Sequence, residues 1–317
     1  MVFYDFMLFI LSLFAIIIGA ELIVNSATKI ARYIGASDFI IGMTLVAIGT
    51  SLPEFSIAFA SSLKREGIIS LSNLIGASIA NLTLILGLGV IISNIKIKWV
   101  IFKRDSWILF FTTAMLLIFS LDKNLSREEG ILLLISFFYY LYDLSKQSIF
   151  FTKEFHYKEK YKENNINLPK HLFFSLIAFG LLYFGANYLI PSTINIASFL
   201  RIPEEVIGLS LIAFVTTLPE LTVTIVAAKK GMVNLFIGNL IGSNIANILL
   251  IVGVASTINP IPFQSLISTI MMFYLLVITF YYVIFSQNSW KNKTLQGLIL
   301  LAFYIIFIFL IIFLEAI

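Results

Sequence analysis

The chain reads as an all-α integral membrane protein, ten transmembrane helices arranged as two inverted five-helix repeats, and three observations lead there. The composition is 60% hydrophobic and 12% charged, with a mean hydropathy of +1.01, whereas a soluble domain carries about 25% charged residues to cover its surface. Ten apolar windows approach or exceed the ~20 residues a helix needs to cross hydrocarbon. Two motifs also occur twice at one spacing. Residues 49–54 (GTSLPE) answer 215–220 (VTTLPE), and residues 73–81 (NLIGASIAN) answer 239–247 (NLIGSNIAN), each pair 166 positions apart.

The first window, near 4–24, has the apolarity of a signal peptide, but Asp5 stands where a basic region belongs and no small-residue cleavage site follows. Its Gly19-Ala20 and Ile30-Ala31 find counterparts in Gly185-Ala186 and Ile196-Ala197 at the same spacing, so it is expected to be the retained first span. The second window, 38–63, carries GTSLPE, and the third, 70–93, carries NLIGASIAN. Windows near 100–121 and 129–146 complete the first repeat, residues 1–146. A polar, Lys/Glu-mixed stretch at 147–170 is expected to be a solvated linker. The second repeat, 171–317, has windows near 171–190, 204–228 (with VTTLPE), 234–258 (with NLIGSNIAN), 264–286 and 294–315.

Charge placement orients these spans. Sixteen of the 21 lysines and arginines fall in the linker and the alternate loops on its side, and such loops are cytoplasmic. Both termini are then extracellular, in a cell-membrane protein whose linker is cytoplasmic. Five spans per half is odd, so the second half enters from the opposite face. Inverted repeats of this kind are a transporter architecture, with the site near the midplane where broken helices meet.

Several chemistries are excluded. There is no cysteine, so disulfides and thiolate sites are absent. The two histidines, His156 and His171, lie in or beside the linker and offer no intramembrane zinc site. The net charge of +4 requires no nucleic-acid partner. With no membrane histidine, cysteine or GxGD-type aspartate pair, an intramembrane enzyme has nothing to work with.

What remains is oxygen chemistry. A carboxylate at mid-membrane costs at least about 2.5–3.5 kcal/mol and usually faces a polar site, and here Glu54 and Glu220 recur on duplicated segments. Pro53 removes an N–H, so the Gly49 carbonyl loses its helical partner, and non-helical backbone at this depth is tolerated where it lines a cavity or is buried in protein. A single proline is ordinarily a kink. Two, each just before a glutamate and after two hydroxyls, mark a site. Thr50 and Glu54 share a helix face at i, i+4, as do Thr216 and Glu220. Gly76 with Ala80, and Gly242 with Ala246, give the small-xxx-small spacing of closely packed helices. Asn81 lies one turn from Ala77, and Asn247 one turn from Ser243, so the asparagines are expected to line the opposite wall. Glu21, facing Asn187 in the repeat, is expected at an interface or in helix packing rather than as a ligand.

An all-oxygen site favours hard cations. Two bidentate carboxylates plus oxygens from Thr50 and Thr216 approach the six to eight that Ca²⁺ takes. One divalent ion, or two protons, neutralises the pair; three Na⁺ leave one positive charge.

In these motifs the chain resembles the cation/calcium exchanger superfamily, most closely prokaryotic sodium/calcium exchangers, over essentially its whole length. The resemblance implies antiport by alternating access, spans one and six sliding as a pair against the remaining core. It implies that Glu54 and Glu220 bind Ca²⁺ with Thr50 and Thr216. It implies that Na⁺ uses those residues with the Ala47 and Ala213 carbonyls, Ser51, Thr217 and Ser243, while Asn81 and Asn247 line the middle of the site. No cofactor and no obligate protein partner is implied; the partners are Ca²⁺, Na⁺ and the lipid bilayer. Three positions depart from the pattern: Val215 replaces a glycine, Ala77 a serine and Asn247 an aspartate. They leave open the number of Na⁺ ions and the choice between Na⁺ and H⁺ as the coupling ion. H⁺/Ca²⁺ exchange through the same glutamates and a cation channel are the competing readings.

Overall fold

Without water to satisfy them, backbone groups in an apolar chain pair within helices, and helices make up nearly all of the computed structural model. It describes residues 2–34, 36–65, 67–93, 102–154, 166–199, 212–263, 266–287 and 293–315. The helices are α1 Val2–Ile34, α2 Asp38–Ile41, α3 Ala47–Thr50, α4 Leu52–Leu63, α5 Gly67–Ala80, α6 Leu86–Ile92, α7 Lys103–Phe119 and α8 Arg127–Glu154. They continue with α9 Leu168–Phe199, α10 Ile212–Thr216, α11 Leu218–Lys229, α12 Val233–Ala246, α13 Gly253–Ile258, α14 Leu266–Gln287 and α15 Lys293–Glu315. Among the described residues, π-turns are spliced between them at Gly42–Val46, Asn81–Ile85 and Asn247–Val252.

Among the described residues six helical stretches are long and apolar enough to cross a membrane, and a seventh is formed if α2–α3 and α4, bent by 48°, count as one. The other expected spans fall on shorter or more charged helices. The α7 helix has 17 residues, and α8 carries Arg127, Glu128 and Glu129 at one end and Asp143 and Lys146 toward the other. The residues preceding α10 lie outside the described set, as do 155–165 of the expected linker. The α8 helix also continues to Glu154, past the boundary expected at 146.

Burial sorts the helices into a centre and a periphery. The α12–α13 stretch is 94% buried and the α5–α6 stretch 78%, against 22% for α15. The centre is tight because its glycines remove side chains where backbones meet. A Cβ on Gly242 would sit 2.5 Å from the Met43 carbonyl oxygen and 2.7 Å from its Cα. Gly42 and Gly238 meet the backbones of Leu235 and Phe39 in the same way. These contacts lay α12 directly on the α2–α3 segment. At the periphery α1 and α9 pack together through matched glycines, Gly19 against Ala178, Leu181 and Leu182, and Gly185 against Ile16, Ser12 and Ala15.

Loop contacts define two ends of the molecule. At one, β1 (Asn124–Leu125) pairs antiparallel with β2 (Ile261–Pro262), and Phe263 N donates to Lys123 O at 2.8 Å. At the other, Lys230 Nζ donates to Asn25 Oδ1 at 2.8 Å and pairs with Glu21 Oε1 at 3.3 Å. Arg104 bridges Asp105 and Asp143 there as well.

Candidate functional site

Each glutamate is set by a local break that its own sequence causes. With Pro53 unable to donate, α3 ends at Thr50, Ser51 adopts φ −84°, ψ 8°, and α4 restarts at Leu52. Thr217 does the same before Pro219, with φ −83°, ψ 1°. The restart places Glu54 and Glu220 in the first turns of α4 and α11, where the positive end of the helix dipole favours a carboxylate.

Both carboxylates are fully buried, at 0% exposure, and near enough to interact with one another. Ser51 Oγ donates to Glu220 Oε1 at 3.2 Å, so a hydroxyl of the first motif holds the carboxylate of the second. Thr50 and Ser243 also approach Glu220, and Thr216 approaches Glu54. Even so, Glu54 Oε1 and Oε2 and Glu220 Oε2 have no hydrogen-bond partner among the described residues. Three buried acceptor oxygens thus go without the hydrogen bonds that would offset their high desolvation cost, although hydroxyls stand near them. That donor set fits a cation.

The hydroxyls and carbonyls surround this pair. Thr50 Oγ1 lies 3.3 Å from Ala47 O, 3.2 Å from Asn239 Oδ1 and 3.4 Å from Ser243 Oγ. Thr216 Oγ1 lies 3.0 Å from Ala213 O and 3.5 Å from Asn73 Oδ1. Ala47 O also accepts from Ser51 N at 3.1 Å and Ser243 Oγ at 3.4 Å, and Ala213 O accepts from Thr217 N at 3.3 Å. Thr217 Oγ1 turns instead to Phe214 O at 2.9 Å. Unlike Ser51, it makes its hydrogen bond within its own helix.

Asn81 and Asn247 each open a π-turn, a bulge frequent at functional sites. Both are buried, and all four of their amide atoms lack partners among the described residues. The Asn81 turn packs on α11, which bears Glu220, and the Asn247 turn on α4, which bears Glu54. Ala77 is buried among them at 0% exposure and offers no hydroxyl. Glu21, by contrast, is 62% exposed in its side chain and pairs with Lys230. Two residues not singled out from sequence join the site: Asn73 and Asn239, the first letters of the repeated NLIG segments. Their recurrence at the 166-residue spacing was the available signal.

The sequence profile of the family described as "Sodium/calcium exchanger protein" matches residues 4–145 and 170–313. Sodium/calcium exchanger MaX1 of Methanosarcina acetivorans is 30% identical over 96% of this chain and 97% of its own length. Uncharacterized membrane protein MJ0091 of Methanocaldococcus jannaschii is 35% identical over 94% and 95%. A solved structure of the sodium-calcium exchanger NCX_Mj, soaked with 2.5 mM Na⁺ and 0.1 mM Ca²⁺, superposes with a TM-score of 0.83 at 32% identity, covering 96% of this chain and 98% of that one.

Proposed function

The chain belongs to the sodium/calcium exchanger family, is a multi-pass membrane transporter, and from that premise we propose that it exchanges Na⁺ for Ca²⁺ by alternating access at one midplane site built on Glu54 and Glu220. The observation that carries this reading is the crossed arrangement of the site. Ser51 of one motif bonds Glu220 of the other, and three carboxylate oxygens remain buried without donors. A cation held between them is bound by both halves at once, so opening either side loosens it. Ca²⁺ is held by the glutamates with Thr50 and Thr216. Na⁺ adds the Ala47 and Ala213 carbonyls, Ser51, Thr217 and Ser243, and Asn81 and Asn247 line the middle.

The same proposal takes ten spans, five in each of two inverted repeats, 1–146 and 171–317, joined by the cytoplasmic linker 147–170, with both termini outside a plasma membrane. The pairing of β1 with β2 and the contacts of Lys230 with Glu21 and Asn25 support the alternation, since each joins loops that ten spans put on one side. The α1–α9 pair is the element that slides.

The test is Ca²⁺ uptake into proteoliposomes under an outward Na⁺ gradient without a pH gradient. Wild-type protein is expected to take up Ca²⁺, and Glu54→Gln or Glu220→Gln to abolish uptake while still inserting. Normal flux in either variant removes the two-glutamate site. Uptake that follows a pH gradient and ignores Na⁺ establishes H⁺/Ca²⁺ exchange instead, the reading favoured by the missing hydroxyl at Ala77 and the missing charge at Asn247. Flux independent of any counter-ion establishes a channel.

A further inference from the structure

We propose that Asn239 and Asn73 are positioning residues that set how well Na⁺ competes with Ca²⁺, by deciding where the hydroxyl protons of Thr50 and Thr216 point. The inference rests on the two-glutamate site proposed above. A hydroxyl that ligates a cation offers a lone pair and sends its proton to an acceptor behind it. Thr50 Oγ1 has two carbonyl acceptors, Ala47 O at 3.3 Å and Asn239 Oδ1 at 3.2 Å, with the Ser243 hydroxyl at 3.4 Å beside them. They are not equivalent. Ala47 O already accepts from Ser51 N at 3.1 Å and Ser243 Oγ at 3.4 Å, and a carbonyl has two lone pairs. With the Thr50 proton also on it, that carbonyl is closed to a cation. With the proton on Asn239, only those two donors remain on the carbonyl, and the longer bond, from Ser243 Oγ, is the one an arriving cation has to displace.

The second half repeats the device in mirror image. Thr216 Oγ1 chooses between Ala213 O at 3.0 Å and Asn73 Oδ1 at 3.5 Å. Each asparagine therefore serves the threonine of the opposite half, and both are buried, at 0% and 5% exposure. Neither Nδ2 has a hydrogen-bond partner among the described residues, so the amide is held there through its contact with threonine. Because Ca²⁺ uses the carboxylates and threonines and Na⁺ also needs the alanine carbonyls, losing the asparagine acceptor penalises Na⁺ more than Ca²⁺.

The experiment is calorimetric Ca²⁺ binding in detergent with Na⁺ as competitor, on wild-type protein, Asn239→Ala and Asn73→Ala. Asn239→Ala is expected to keep Ca²⁺ affinity within about twofold while the Na⁺ concentration that halves Ca²⁺ binding rises about five- to tenfold, the size of one lost hydrogen bond. Asn73→Ala is expected to act in the same direction more weakly, its bond being longer. An unchanged Na⁺ requirement, or an equal loss of both affinities as a purely structural residue produces, overturns the inference. If Asn239→Ala elutes as aggregate, Asn73→Ala decides by the same criteria. Wild-type protein that binds no Ca²⁺, or whose Ca²⁺ Na⁺ does not displace, overturns the proposed function and this inference with it; intact wild-type competition with an unaltered variant ratio overturns this inference alone.

Discussion

At the scale of single residues the two halves are unequal where it matters for coupling. Ser243 gives Thr50 a hydroxyl neighbour at 3.4 Å and bonds Ala47 O at 3.4 Å, while its counterpart Ala77 gives Thr216 nothing. Restoring the missing group is a gain-of-function test: Ala77→Ser is expected to lower the Na⁺ concentration needed to displace Ca²⁺ several-fold, read by the same competition calorimetry, and no change there removes Ala77 as the cause of any weakened Na⁺ site. Much of this was legible in the sequence. The prolines, glutamates and paired hydroxyls announced themselves by recurring at one spacing. What could not be read was which half serves which. Ser51 bonds Glu220 rather than its near neighbour Glu54, because the fold brings the two motifs face to face, and a linear pattern carries no record of that. Asn73 and Asn239 were hidden for the same reason, as their partners lie 143 and 189 positions away.

At the scale of elements, the site depends on how closely two backbones approach. The α12 helix is held against the α2–α3 segment by Gly42, Gly238 and Gly242, and that contact brings Asn239 and Ser243 to Thr50. A side chain at Gly242 must push the walls apart. Gly242→Leu is expected to cost at least about 1–3 kcal/mol, as overpacking does, lowering the thermal midpoint in detergent and Ca²⁺ affinity together. Gly180→Leu, where a Cβ meets nothing within 4 Å, is the matched control and is expected to change neither. A stable, fully binding Gly242→Leu protein contradicts this account of the wall. The spacing of small residues predicted close packing, but the π-turns at Asn81 and Asn247 left no such trace. A slipped hydrogen bond needs no particular residue, so only the fold reveals it. Helix and linker overlap for a related reason: Lys146, Lys153 and Glu154 are polar but good helix formers, and α8 runs through them.

At the scale of the whole molecule, the repeat is symmetric at its centre and asymmetric at its ends. Lys230 ties α11–α12 to Glu21 and Asn25 of α1. The positions that mirror Glu21, Asn25 and Lys230 are Asn187, Pro191 and Lys64, so the lysine recurs but the carboxylate at its mirror position does not. Lys230→Met is expected to shift the balance between the two access states by at most about fivefold, since an exposed ion pair contributes about 0–1 kcal/mol. Spin labels on an engineered cysteine pair across α1 and α11 read that balance without interference, as the native chain has no cysteine. An unshifted distance distribution dismisses the tie as incidental.

That one-sided fastening makes the cycle uneven. A carrier whose two doors were perfect mirror copies would idle equally in either pose, and its ions alone would choose the direction of turnover. Here the pose described carries the Lys230 tether, and a turnover that parts α1 from α11 has to undo it. Weakening it should hasten departure on the tethered side and leave arrival on the other untouched.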